Sequence, residues 1–227
     1  MRGFRPDAEG WSSSLEPWER EYLAGLFKQI ADLLGAAGPA DVDSESTGTT
    51  GGTTARSGES LRDGEVLAAL DFDSEAARAA PPSLPVPVAL APLLDVLLPD
   101  ASEDPDVAVE IAALTRERLR VDKRSRLEDV VYELLEPTGA GGAVLVPVGR
   151  EDRWLGALND ARLVLAERLQ IDSPEAAERV HAVAWDEAPP DEGETARWSR
   201  TMALSYDMLS WWQESLVAAL LNAEGSA

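Results

Sequence analysis

The sequence predicts a mainly α fold, a single helical domain with a small N-terminal β-sheet and a disordered insert. Apolar residues recur at helical spacing through most of the chain, which indicates amphipathic helices. Three short runs near residues 3, 12 and 146 break that pattern and favour strands. A low-complexity stretch without apolar side chains follows the first helix. With 44% hydrophobic residues, the 227-residue chain can bury a substantial core.

The predicted sheet has three short strands. Two of them, at residues 2–5 and 11–14, form a hairpin around the turn-prone segment 6–10. The third is expected at residues 144–148, where the sequence is Val-Leu-Val-Pro-Val and valine favours strands. This last run can complete the small sheet with the hairpin, although more than a hundred residues separate them.

The first helix is predicted from Pro17 to Leu34, where apolar side chains cover one broad face. Ser14 is a candidate N-cap, because its hydroxyl can accept a hydrogen bond from a free backbone N–H. Gly35 is expected to end the helix. The hairpin and this helix make up the first segment of the domain, residues 1–35.

Residues 36–65 are predicted to be a flexible low-complexity insert. Their serine-, threonine- and glycine-rich centre at 44–54 has no apolar side chain to bury. Prolines at 81, 82, 85 and 87 mark a second irregular stretch further along. Residues 66–224 are expected to be the helical remainder of the same domain.

Five further helices are predicted in this remainder. Asp104 is a candidate N-cap and Pro105 suits the first position of the longest one. An apolar stripe through Val107, Leu114 and Val121 shifts near residues 119–126, which indicates a bend or a change of packing partner. The predicted helices cover residues 90–98, 105–136, 150–169, 173–184 and 195–221.

The last two long helices carry tryptophans on their main apolar stripes. Trp154 and Trp212 are therefore predicted to be buried and structural. Leu204 and Trp211 lie on a second apolar flank of the last helix. That flank predicts a helix buried on two sides.

The composition argues against ordinary catalysis. Seven tryptophans, one histidine, no cysteine and a net charge of −22 leave few catalytic groups. The absence of cysteine excludes a thiol nucleophile, a thiolate metal site and a disulfide within the chain. No pair among the 42 acids lies in a recognisable catalytic pattern. We expect a binding or regulatory protein rather than an enzyme.

Cofactor and metal signals are also weak. His181 has no companion ligand, and the acids near Asp104 lack the spacing of a calcium loop. Residues 139–142 lack the lysine and hydroxyl of a phosphate loop. No cofactor is expected.

Charge and hydropathy limit the possible partners. A chain of net charge −22 repels the phosphate backbone at long range, so we expect no direct nucleic-acid binding. A cationic protein surface is the more favourable partner, although acidity alone can serve solubility. No apolar run is long enough for a membrane span or a signal peptide, so a cytoplasmic protein is expected. The oligomeric state stays open.

One dense basic cluster interrupts the acidic chain. Between residues 116 and 126, six cations and two acids leave a local net charge of +4. Four of the cations share about 100° of a helical wheel and could bind an acidic partner or a phosphate. Neutralisation of nearby acids is the alternative. The cations of this face are Arg116, Arg120, Lys123 and Arg124.

Three polar residues on the helix of Trp154 are further candidates. Asn159, Asp160 and Arg162 can contact a partner, pair with the basic cluster, or form hydrogen bonds within the domain. Together with the four cations they form the set of candidate partner-binding residues.

Several segments in order resemble one known family. The most specific is Trp154-Leu-Gly-Ala-Leu-Asn-Asp-Ala-Arg-Leu163, which is followed by Arg168-Leu169-x-Ile171. Before it come Leu97-Leu-Pro-Asp-Ala101 and Leu119-Arg120-x-x-Lys123, and after it Trp211-Trp-Gln-Glu-Ser-Leu-Val217. Outside residues 36–90, this order resembles the actinobacterial family named for the oxidative-stress transcriptional regulator AosR, formerly a domain of unknown function.

The resemblance implies a cytoplasmic, non-enzymatic regulator in stress response that acts through protein contact, with a sigma factor or RNA polymerase as partner. The family's redox regulation relies on a cysteine pair, and this chain has no cysteine. A disulfide switch therefore cannot operate within it. The alternative function is an adaptor or structural interaction protein outside transcription, for example one linked to regulated proteolysis. The sequence leaves the signal and the sign of regulation open.

Overall fold

A computed structural model describes residues 1–37, 90–189 and 191–224, which form six α-helices and a three-stranded sheet. The mainly α fold with a small sheet is confirmed. The strands are β1 (Arg5–Asp7), β2 (Gly10–Ser13) and β3 (Val144–Pro147). The helices are α1 (Pro17–Ala36), α2 (Ala91–Leu97), α3 (Pro105–Leu135), α4 (Glu151–Arg168), α5 (Pro174–Trp185) and α6 (Glu194–Glu224).

Two predicted features lie largely outside the described residues. Of the predicted flexible insert, residues 36–65, only residues 36 and 37 are described. Residues 66–89 of the predicted helical remainder, with the prolines at 81–87, also lie outside. Within the described ranges, no helix combines the length and apolar character that crossing a membrane requires.

The central strand of the sheet is β2, which pairs antiparallel with both β1 and β3. The first strand was predicted at residues 2–5, but it runs from Arg5 to Asp7 because the turn is tighter than expected. Asp7 pairs directly with Gly10, so only two residues form the turn. Gly10 has φ +154°, and a Cβ there would lie 2.0 Å from the carbonyl oxygen of Val146. Only glycine fits this position.

Prolines and capping side chains set the helix starts. The predicted N-cap of α1, Ser14, is wrong, since Glu16 occupies that position. Pro17 fits the first helical position and holds the residue before it in an extended conformation. The carboxylate of Glu19 accepts a hydrogen bond from the Glu16 backbone N–H at 2.8 Å. Asp104 caps α3 as predicted, accepting from the backbone N–H of Asp106 at 3.0 Å.

Three aromatic rings from distant segments meet in the core. Phe4 stacks on Trp212 with ring centroids 5.0 Å apart, and Trp154 meets Trp212 edge-on at 5.7 Å. The indole Nε1 of Trp212 donates to the hydroxyl of Ser13 at 3.0 Å. Trp154 donates its indole N–H to the carboxylate of Glu133 on α3. These contacts join the sheet to α3, α4 and α6, and both predicted structural tryptophans are buried.

The long helix α3 packs mostly through its second half, and Ala108 is the buried residue of its first half. Arg120 donates to the carbonyl of Leu34, close to the C-terminal end of α1, so residues 105–119 extend past that end. The predicted stripe through Val107, Leu114 and Val121 is therefore exposed. The helix is continuous across residues 119–126, so the pattern shift reflects a change in packing. Its buried apolar side chains beyond this point are Leu127, Val130 and Leu134.

The last helix, α6, buries its main apolar stripe. Leu209, Trp212 and Leu216 are fully buried, as their stripe predicts. The prediction that a second side is buried is wrong, because Leu204 and Trp211 are exposed. No described element covers that flank completely, and it forms one wall of a groove.

Candidate functional site

An open groove lies where α1, α5 and α6 converge, with a volume of about 870 Å³. We call it the aromatic groove. Helix α6 supplies most of its lining, α1 and α5 supply the other walls, and Met1 lies at one edge. The lining side chains are those of Met1, Trp18, Tyr22, His181, Trp185, Thr201, Leu204, Ser205, Asp207, Met208, Ser210, Trp211 and Glu214.

Three tryptophans give the aromatic groove its character. The exposed fraction is 66% for Trp18, 68% for Trp185 and 47% for Trp211. Each comes from a different helix, so the packing of α1, α5 and α6 brings them together. Removing a large aromatic side chain from water lowers the free energy. Contiguous exposed apolar surface therefore marks interaction sites in soluble proteins. The groove therefore has the chemistry of a binding surface.

Asp207 holds one wall of the aromatic groove in place. Its Oδ2 atom accepts a hydrogen bond from the indole Nε1 of Trp185 at 2.7 Å. The same oxygen lies 2.5 Å from Nδ1 of His181. Two residues of α5, one turn apart, are thus tied to one carboxylate of α6. This restraint presents the Trp185 ring while leaving most of it in solvent.

Two polar contacts fix α1 against the rest of the groove. The hydroxyls of Tyr22 and Ser205 lie 2.5 Å apart and link α1 to α6. The N-terminal ammonium of Met1 forms an ion pair with Glu19 at 2.5 Å, and both groups are largely buried. The groove walls are therefore held by specific contacts as well as by apolar packing.

The structure gives all four predicted cations of the basic face partners inside the chain. Arg120 pairs with Glu117 in addition to donating to Leu34, and its hydrogen bond lowers the pKa of the Glu117 carboxyl. Arg124 pairs with Glu128 one turn along α3 at 2.8 Å. Arg116 lies 3.4 Å from Asp100, and Lys123 lies 2.6 Å from Asp160.

Asp160 is the centre of the contact between α3 and α4. Its side chain is 1% exposed and accepts from both Lys123 and Arg126. The guanidinium of Arg126 lies over Gly156, where a Cβ would come within 2.8 Å of its Nη1 atom. In the opposite direction, Arg153 of α4 donates to Asp129 of α3 at 2.6 Å. Each helix therefore contributes both a cation and an acid to the ion pairs across the α3–α4 interface.

The remaining candidates have different surroundings. Arg162 donates to the hydroxyl of Ser210 at 2.9 Å and to the amide oxygen of Gln213 at 2.8 Å, both on α6. Its guanidinium also lies 5.7 Å from the ring centre of Tyr206. Asn159 is exposed on α4. Of the predicted set, the structure brings Lys123 and Asp160 into contact, whereas Arg162 lies against α6.

A family model described as a domain of unknown function, DUF2017, matches residues 1–220. The chain belongs to the DUF2017 family. The match runs from the hairpin into α6, so the aromatic groove and the α3–α4 charge cluster both lie within the DUF2017 domain. No curated protein and no solved structure matches the chain.

The sequence of this DUF2017 domain did not predict the aromatic groove. The signal was present in Trp211 and Leu204, whose second apolar flank was interpreted as buried. Trp18 lies at the start of α1 and Trp185 at the end of α5, and nothing in the local sequence relates one to the other. Among the described residues, no group of three histidine or acidic side chains is placed to hold a metal ion.

Proposed function

We propose that this DUF2017 chain is a non-enzymatic regulatory protein that acts by binding another protein through the aromatic groove. The observation that supports this is the exposure of Trp18, Trp185 and Trp211 around one apolar groove. Tryptophans of this kind commonly contribute most of the binding energy at protein interfaces. Trp185 is held by its hydrogen bond to Asp207, so its ring needs little ordering on binding.

The proposed partner is a sigma factor or RNA polymerase, and the proposed role is transcription regulation in stress response within the cytoplasm. This step rests on the resemblance of residues 154–163 and 211–217 to the AosR family. Residues 211–217 include Trp211 and Glu214 of the aromatic groove. The most specific segment, 154–163, packs α4 against α3 and α6.

The direct test measures binding of the full chain to purified core RNA polymerase and to purified sigma factors of the same organism. The diagnostic variant is Leu204→Glu, which places a charge in the groove at an exposed position. The matched control is Val109→Glu, at an exposed position of α3 outside the groove. We expect Leu204→Glu to weaken binding at least about tenfold and the control to leave it unchanged.

Two outcomes would count against this function. Binding that is equal for both variants would place the contact outside the aromatic groove. Absence of binding to any polymerase component, together with groove-dependent recovery of protease components from lysate, would favour the adaptor function in regulated proteolysis.

A further inference from the structure

We propose that the aromatic groove takes a basic amphipathic helix of the partner protein. This inference rests on the proposed function and deepens it by specifying the chemistry of the bound segment. It follows from the length of the groove, the distribution of charge around it and the net charge of the chain.

The length of the groove fits a helix of three to four turns. On α6, the lining residues run from Thr201 to Glu214, so the groove follows this helix over that stretch. At about 1.5 Å per residue, this stretch is about 20 Å long. A partner helix of about 13 residues has the same length and can present apolar side chains at matching intervals. The apolar groups available to it include Trp18, Leu204 and Trp211.

The charges of the groove favour a cationic partner. Among the described residues that line it, two are carboxylates, Asp207 and Glu214, and none is lysine or arginine. The ammonium of Met1, which also lines the groove, is already paired with Glu19. Glu214 is exposed and lies one turn beyond Trp211, at the end of the groove. A lysine or arginine flanking the apolar face of the partner helix can pair with it. The net charge of −22 attracts such a segment at longer range.

The same charge disfavours a second copy of the chain as the occupant. Two molecules of net charge −22 repel each other, and the groove adds acids to both sides of such a contact. An acidic partner meets the same penalty. The observations therefore favour a basic helix over self-association.

The test is a peptide selection on the intact protein. Random peptides of about 16 residues, long enough for four helical turns, are displayed and selected on the full chain. Binders that also recognise Leu204→Glu are removed, so that the remaining peptides depend on the groove. We expect these peptides to carry apolar residues at helical spacing and an excess of lysine and arginine. Their α-helix should appear by circular dichroism on binding.

A charge-reversal variant tests the electrostatic part. Glu214→Lys should weaken the selected peptides about threefold to tenfold, with a smaller loss at high salt. Glu110→Lys, at an exposed position of α3 outside the groove, is the matched control. Trp211→Ser serves as a second groove variant if Leu204→Glu does not fold, and the native circular dichroism spectrum of each variant is checked first.

Several results would overturn the inference. One is that the selection yields no peptide that depends on the groove. Another is that the selected peptides are acidic or lack apolar residues at helical spacing. If sedimentation shows a dimer that the Leu204→Glu substitution dissociates, the occupant is a second copy of the chain. If native mass spectrometry shows a co-purified small apolar molecule, the occupant is a small ligand.

The polymerase-binding test separates this inference from the proposed function. If polymerase binding depends on Leu204 while the selected peptides are not basic helices, only the helix inference fails. If basic helices are selected but no polymerase component binds, only the proposed partner fails.

Discussion

Lys123 on α3 and Asp160 on α4 lie 2.6 Å apart and neutralise each other inside the domain. Both were predicted as partner-binding candidates, one from the basic cluster and one from the polar side of the Trp154 helix. Asp160 is buried and also accepts from Arg126, so one carboxylate satisfies two cations at the α3–α4 interface. The contact gives both residues a structural role.

Replacement of Asp160 by alanine should destabilise the protein strongly. Removal of the buried carboxylate leaves Lys123 and Arg126 as poorly solvated cations without their shared partner, which typically costs about 3–5 kcal/mol. Urea unfolding measures the change. Asn159→Ala, at the exposed neighbouring position, is the control and should change the free energy of unfolding by less than about 0.5 kcal/mol. Equal stability of the two variants would contradict the structural role of Asp160.

Two arginines of the basic cluster should differ in their effect on stability. Arg120 is largely buried and donates to the Leu34 carbonyl at the end of α1, so Arg120→Ala should cost about 1–3 kcal/mol. Arg124 pairs with Glu128 in solvent, and Arg124→Ala should cost less than about 1 kcal/mol. Thermal and urea unfolding of the two variants provide the comparison. A larger loss for Arg124→Ala would show that this arrangement is wrong.

The adjacent tryptophans of α6 offer a second matched pair. Trp212 is 0% exposed and stacks on Phe4, so Trp212→Ala should lower the free energy of unfolding by about 3–5 kcal/mol. Trp211→Ala should have a much smaller effect on stability and should instead weaken partner binding. Urea unfolding and the polymerase-binding assay measure the two effects. The prediction fails if Trp211→Ala is as destabilising as Trp212→Ala.

Loss of Asp207 should release the Trp185 ring. Without the Asp207 carboxylate, the indole N–H of Trp185 and the ring of His181 lose their shared acceptor. In protein labelled with fluorotryptophan, Asp207→Ala should shift and narrow the fluorine resonance of Trp185, which Trp185→Phe assigns. Glu214→Ala, which removes the other carboxylate of the groove, is the control. An unchanged Trp185 resonance in Asp207→Ala would mean that this contact does not restrain the ring.

The helices were predictable because local chemistry sets where they begin and what they bury. Asp104 accepts from free backbone N–H groups at the start of α3, and Pro105 fits the first position, whatever the rest of the chain does. The Ser14 prediction failed for a local reason as well, since Pro17 places the N-cap at Glu16. The burial of Trp154 and Trp212 followed from the apolar stripes of α4 and α6.

The sequence by itself determined the class of fold, the positions of the helices within a few residues and the main buried stripe of α4 and α6. These properties depend on periodicity and capping, which act over one or two helical turns. Only the tertiary structure decided which apolar flanks stay open. Leu204 and Trp211 line a groove because α1 and α5 stand beside α6 without covering it. Whether an apolar flank meets another element depends on the relative placement of segments far apart in the chain, and the pattern within one helix carries no information on that placement.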